Sequence, residues 1–289
     1  MNCYHYIISK QVQWALNHGI DLIGSEGKRG AHAYTQDLSQ NLFESLLPSV
    51  EDSFREGNGG EIEGSLDKPA KMQAVHSSSA LGVNVFQYWE KNHKAPVIAT
   101  ACRFCAKGND SSERIIFEEK FRTGIRNRIP PNIDVVIHNN EKSRFRYFAI
   151  ECKFTEAYSH EGHSGLAQAY LENPSIWSDI PHLYDLAKTI SPDDHLFSYL
   201  HAAQLIKHIL GLKKACQSKD TFKLLYLWYD APGKDGYIHG EEVERFSQIA
   251  DADNVHFISL TYQELIISLA KEYRQEHPEY IKYLTQRYL

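Results

Sequence analysis

Pro131-Asn132-Ile133-Asp134-Val135-Val136-Ile137 and, after a short polar interval, Phe148-Ala149-Ile150-Glu151-Cys152-Lys153-Phe154 decide how this chain reads. Both segments are apolar enough to be strands of a buried sheet, yet each carries charge in its interior. Strand side chains alternate faces, so Glu151 and Lys153 point one way while Ile150, Cys152 and Phe154 point the other. If the two strands pair, Asp134 stands beside Glu151. Two carboxylates and an ammonium then meet at the edge of an apolar sheet, a costly arrangement unless a cation or an anionic substrate compensates it.

The surroundings bound what such a centre could serve. With 289 residues, 42% hydrophobic and 24% charged, the composition is that of a globular chain able to bury a substantial core. No apolar run approaches the roughly 20 residues of a membrane span, and the first residues lack the pattern of a signal peptide. Five scattered cysteines, an odd number, lead us to expect reduced thiols and a cytoplasmic protein without a membrane partner.

A net charge of −6 argues against coating nucleic acid by bulk positive charge. The distribution is more specific. From Arg114 to Arg146 eight basic residues face four acidic ones, and a second basic run holds Lys207, Lys213, Lys214, Lys219 and Lys223. Two solvated faces and a phosphate-tracking groove are both compatible with these runs.

Working outward, apolar spacing predicts a helix over 4–18, a polar loop at 25–30 and a helix over 34–47 stopped by Pro48. A glycine-rich turn at 56–64 either is a surface loop or delivers Glu61 to the centre. Ser77-Ser78-Ser79 precede and cap a helix whose stripe is Leu81, Val85, Tyr88 and Trp89, with Asn84 at its edge more readily a hydrogen-bonded packer than a ligand. Strands are expected near 113–121, 131–138 and 146–154, then a long helix over 195–214 and a buried strand at 222–230. A helix at 241–249, a strand at 255–260 and helices at 262–275 and 278–288 complete an α/β architecture in one domain. The lone Cys102-x-x-Cys105 lacks the further ligands of a zinc site, and the 15 histidines form no metal array.

A phosphodiester is anionic and slow to hydrolyse, so cutting it calls for charge neutralisation and an activated water, which a divalent cation provides. Magnesium takes hard oxygen donors and keeps several waters, so Asp134, Glu151 and the Cys152 carbonyl would suffice as protein ligands. Lys153 would orient the water and stabilise transition-state charge. Glu156, just past the strand, either assists or is a surface carboxylate.

The set Pro131…Asp134…Glu151-Cys152-Lys153 resembles the PD-(D/E)XK signature of the restriction-endonuclease-like nuclease superfamily, although two residues separate the proline from Asp134. The order of helix, three-strand meander, helix and strand over about 76–231 resembles that superfamily's core. The resemblance implies a mixed β-sheet flanked by helices, with N-terminal helical and C-terminal α/β extensions. It implies Mg²⁺-dependent cleavage, Mn²⁺ substituting, most readily of DNA, with attack in line and a 5′-phosphate product. It makes Asp134 and Glu151 metal ligands and Lys153 catalytic. An upstream acidic ligand is also implied; Glu61 is the first choice, Glu118 or Glu119 the competitor. Gln204 with His208 one turn later is similar to a Gln-x-x-x-Tyr feature of RecB-like branches, with His in place of Tyr. Gln204, Lys207, Lys120 and Arg122 are the expected nucleic-acid contacts, and homodimerisation is left open. The alternatives are an inactive nucleic-acid-binding or scaffold protein of the same fold, and a metal-dependent hydrolase of another substrate.

Overall fold

The computed structural model describes residues 2–24, 32–57, 60–64, 68–159 and 162–289. The expected loop at 25–30 and the centre of the glycine turn, 58–59, lie outside them. In chain order the elements are α1 (Cys3–Asn17), the short strands β1 (Leu22–Ile23) and β2 (Tyr34–Thr35), α2 (Pro48–Glu56), α3 (Ser78–Lys91) and α4 (Ala95–Ala101). Then come β3 (Ser112–Lys120), β4 (Asn132–Asn139), β5 (Tyr147–Lys153), α5 (Gln168–Leu171), α6 (Pro181–Thr189) and α7 (Ala202–Cys216). The chain closes with β6 (Phe222–Trp228), α8 (Lys234–Ala252), β7 (Phe257–Thr261), α9 (Tyr262–Tyr273) and α10 (Pro278–Tyr288).

β3 to β7 form a five-stranded sheet in sequence order. The first three strands are an antiparallel meander, and β6 and β7 continue it in parallel. β6 is apolar on both faces, as a strand covered from both sides must be. One core joins the sheet to α1, α3, α4, α9 and α10, through Ile7, Trp89, Ile98, Leu265 and Leu284. The other joins its opposite face to α6, α7 and α8, through Leu183, Ile206 and Phe246. The result is a mixed sheet between two helical layers, an α/β fold of restriction-endonuclease-like architecture. Among the described residues no helix is long and apolar enough to cross a membrane.

Ser77 caps α3 through its hydroxyl, which accepts from the Ala80 N–H at 3.2 Å. Asn84 is the packer its position suggested: it accepts from Phe43 N–H and donates to the Asn41 carbonyl and Tyr288 hydroxyl.

Two expectations are corrected. No helix occupies 34–47; instead β2 is followed by a 3₁₀ turn, Leu38–Asn41. The backbone there is satisfied by side chains of α3, with Asn84 and Gln87 accepting from Phe43 and Leu47 N–H. Pro48 opens α2 rather than closing a helix, because its missing N–H costs nothing in a first turn. The long helix begins at Ala202, not 195. Before it, the Glu242 carboxylate accepts the Ser198, Tyr199 and Leu200 N–H groups at 2.6, 2.8 and 2.9 Å, and Asp194 accepts those of Leu196 and Phe197. Carboxylates holding five consecutive amides leave no donors for helical bonds.

Candidate active site

The antiparallel ladder between β4 and β5 runs from His138↔Tyr147 to Val135↔Ile150 and stops there. The next rung would set Asp134 opposite Glu151. In its place the Asp134 carboxylate accepts the Cys152 N–H at 2.7 Å, so a side chain replaces a backbone acceptor where the strands part. β5 meanwhile stays paired with β6 through Lys153↔Trp228, which holds Glu151 and Lys153 on a rigid strand.

Glu151 is wholly buried. Its Oε2 lies 2.8 Å from His208 Nε2, and its Oε1 lies 2.7 Å from Lys153 Nζ. The Lys153 contact is a close ion pair whose direction is poor for a hydrogen bond, so Oε1 keeps an unused lone pair. Lys153 Nζ instead donates to Gln204 Oε1 at 3.1 Å. Gln204 and His208, one turn apart on α7, therefore hold the two charged residues of β5 from the adjacent layer.

Across β4 the ladder to β3 passes through Phe117↔Val135 and Glu119↔Ile133, which sets Glu118 opposite Asp134. Glu118 adopts a left-handed backbone, φ 54°, inside a strand. A non-glycine residue there is strained, and such strain persists where surrounding structure enforces it. Its carboxylate accepts from Asn132 Nδ2 at 3.1 Å. Glu119 is taken up elsewhere, 2.7 Å from His138 Nε2. The Glu61 carboxylate accepts from Lys71 Nζ at 3.2 Å and Ser79 Oγ at 3.1 Å, yet it stands near enough for its charge to act on Glu118.

The electrostatics separate these acids. Burial raises the Glu118 carboxyl, and the Glu61 and Glu151 charges add to it against the Asn132 hydrogen bond, bringing it to about 7. Burial also lifts Asp134 well above the carboxylate range, and Glu151 lifts it further against the pull of Lys153. For Glu151 the same burial is outweighed by Lys153 and His208, which hold it down to about 2. Burial works against the Lys153 ammonium, but Glu151, Glu156 and Asp134 keep it protonated. Glu156 accepts from the Phe154 N–H at 3.3 Å.

Among the described residues no group of three or more His, Cys, Asp and Glu side chains closes into a ready metal cluster. The donor set nonetheless suits a hard cation that keeps much of its water. Glu151 Oε1 is buried with Lys153 as its close ion-pair partner and accepts no hydrogen bond, and burial together with neighbouring carboxylates pushes up two nearby carboxyls, Asp134 and Glu118. Cys152 pairs with Leu227 in the ladder, and its thiol is buried in the core.

The remaining expected contacts divide. Arg122, with Arg126 and Arg128 in the same β3–β4 loop, is exposed and makes no ion pair among the described residues. Lys120 donates to the Glu56 carbonyl at 2.7 Å. Lys207 is half-buried, one turn along α7 from Gln204. Of the second basic run, Lys213, Lys219 and Lys223 donate to the Ile176, Asp179, Asp253 and Phe104 carbonyls, so they pin the fold. Sequence reasoning did not see that Asn132 holds Glu118 or that Glu118 faces Asp134; the only available signal was its place in a strand next to the Asp134 strand.

Residues 10–289 match the family model described as Restriction Endonuclease associating with ARP. The chain belongs to this family. Searches of curated proteins and of solved structures gave no match. Family and sheet together establish a restriction-endonuclease-like fold and a chain of nuclease class.

Proposed function

We propose that the protein is a divalent-metal-dependent DNA endonuclease whose centre is Asp134, Glu151 and Lys153, with Glu118 as the additional acidic residue. The observation that carries this reading is the parting of β4 and β5, where Asp134 turns to the Cys152 amide beside the buried Glu151–Lys153 pair. Asp134, Glu151 and Glu118 would hold the cation, most readily Mg²⁺ or Mn²⁺. When bound, it supplies charge neutralisation at the phosphate and a water of lowered pKa.

The chain's own residues do the rest. Lys153, locked between Glu151 and Gln204, presents a fixed ammonium to the scissile phosphate and the incoming water. His208 holds Glu151 in orientation from behind. The unpaired arginines of the β3–β4 loop bind the strand backbone on either side, giving affinity without base reading. The association with ARP in the family's description is carried to this chain as a proposed partner.

Plasmid and linear DNA incubated with the purified protein in Mg²⁺ or Mn²⁺ test this. Asp134→Asn and Lys153→Ala should each lower cleavage by about a hundred- to a thousandfold, the scale of losing a preorganised electrostatic group. Cleavage undiminished in both variants would sink the assignment. Salt-sensitive DNA binding without cleavage in any metal would leave a binding protein of the same fold.

A further inference from the structure

A cleft of about 360 Å³ opens beside Lys153, with Glu156, His163, Tyr199, His201 and Lys207 in its wall. Its charge is unbalanced. Lys207 is half-buried, and its ammonium has no hydrogen-bond or ion-pair partner among the described residues. Withdrawing an ammonium from water without a counter-charge is unfavourable. The His163 and His201 rings stack with centroids 4.8 Å apart and planes 18° from parallel. His163 Nε2 is buried with no partner. α7 starts at this point with no side-chain cap, so the positive end of a 15-residue helix adds to the field. His201 registers these surroundings: burial first, then the charges of His163, Lys153 and Lys207, hold its pKa down to about 4.

Lys153 is already paired with Glu151, and Glu156 already accepts the Phe154 N–H, so Lys207 is the ammonium of this cleft left without a direct counter-charge among the described residues. An anion of the size of a phosphate group resolves the imbalance, since it accepts from Lys207 and His163 together. Because Lys153 belongs both to this cleft and to the catalytic centre, a phosphate held here sits next to the one being cut.

We propose that the cleft formed by His163, His201 and Lys207 is a second phosphate subsite, which takes the phosphate flanking the scissile bond on the same strand. This rests on the nuclease reading above for the identity of the strand, though the anion site itself does not. In the subsite Lys207 supplies charge, His163 Nε2 a hydrogen bond, and His201 a neutral wall that fixes the His163 ring. Its role is positioning: it sets the register of the strand relative to Lys153.

Two measurements test it. First, inorganic phosphate is titrated into the metal-free protein by calorimetry. Lys207→Gln and, separately, His163→Phe should each weaken binding at least about fivefold without lowering the melting temperature. Lys188→Gln, which removes an exposed lysine on α6, should not. Phosphate binding indifferent to both cleft substitutions overturns the proposal, as does equal loss in Lys188→Gln. Second, short duplexes carry one neutral methylphosphonate linkage at successive positions around the cut. One flanking position should cost the wild type about tenfold in kcat/KM and cost Lys207→Gln less than twofold, most of the change lying in KM. Identical position profiles in the two proteins overturn the subsite. Phosphate binding that depends on Lys207 in a protein that cuts no DNA would instead defeat the nuclease reading and leave the cleft intact.

Discussion

Asp134 and Glu151 come from neighbouring strands, meet where those strands part, and are both withdrawn from water, yet they titrate in opposite directions. Burial pushes each carboxyl up. Glu151 has Lys153 at 2.7 Å and His208 at 2.8 Å and is held ionised down to about 2. Asp134 has one backbone amide and a negative neighbour, and it rises. The difference teaches that the centre is half-compensated by its own chain. One carboxylate has its cations built in, and the other is, under the proposed function, left to a bound metal.

The sharpest way to break the contrast is to take the built-in cation away. Lys153→Met should destabilise the metal-free protein by about 3–5 kcal/mol, because it leaves Glu151 a buried charge short of its partner. Asp134→Asn should be neutral or stabilising in the same denaturation experiment, although both variants lose cleavage. A Lys153→Met protein as stable as the wild type would show that Glu151 does not depend on its ammonium.

Supplying the missing cation should reverse the ranking. Mg²⁺ or Mn²⁺ at about a hundred times its Kd should stabilise the wild type by about 2.7 kcal/mol. The melting shift should vanish with a chelator and in Asp134→Asn. His208→Leu removes one of Glu151's two partners and should cost about 1–3 kcal/mol, with His208→Gln recovering part of it by restoring a donor. Equal melting of the Leu and Gln variants would reduce His208 to a packing residue.

A smaller effect comes from a buried group that no cation serves. Burial, with the charges of Lys153 and His163, holds His239 neutral down to about 3, between the Tyr226 and Tyr158 hydroxyls. Its unfolded counterpart takes up a proton near pH 6.5, so below that pH the unfolded state binds more protons and stability falls as pH falls. By pH 5.5 the loss should be on the order of 1 kcal/mol, and His239→Gln should flatten the profile in that window.

The centre was legible in the sequence because strands impose a period of two and an apolar run makes every interior charge conspicuous. Asp134, Glu151 and Lys153 needed nothing more. Gln204 and His208 were legible as a pair through helical spacing, but the contact of His208 with Glu151 depends on how α7 crosses β5. The role of Glu118 depends on one backbone angle and a cross-strand register, neither of which a side-chain pattern records. The misread segments share one cause. At 34–47 and 195–201 side chains from distant positions, Asn84, Gln87 and Glu242, satisfy the local backbone in place of helical bonds. Pro48 misled as well: it opens a helix where it was expected to end one. The two basic runs looked alike, and only the location of carbonyl acceptors separates lysines that pin the fold from the arginines of the β3–β4 loop, which make no ion pair among the described residues.

The left-handed backbone of Glu118 sets function against stability. A residue with a Cβ is held there at an energetic cost that glycine does not incur, and its buried carboxyl adds the repulsion of Glu61 and Glu151. Glu118→Gly should therefore give a protein that melts higher without metal and cuts worse with it. Selection for thermal robustness alone would erode this position first, and only a demand for cleavage would keep the glutamate in place.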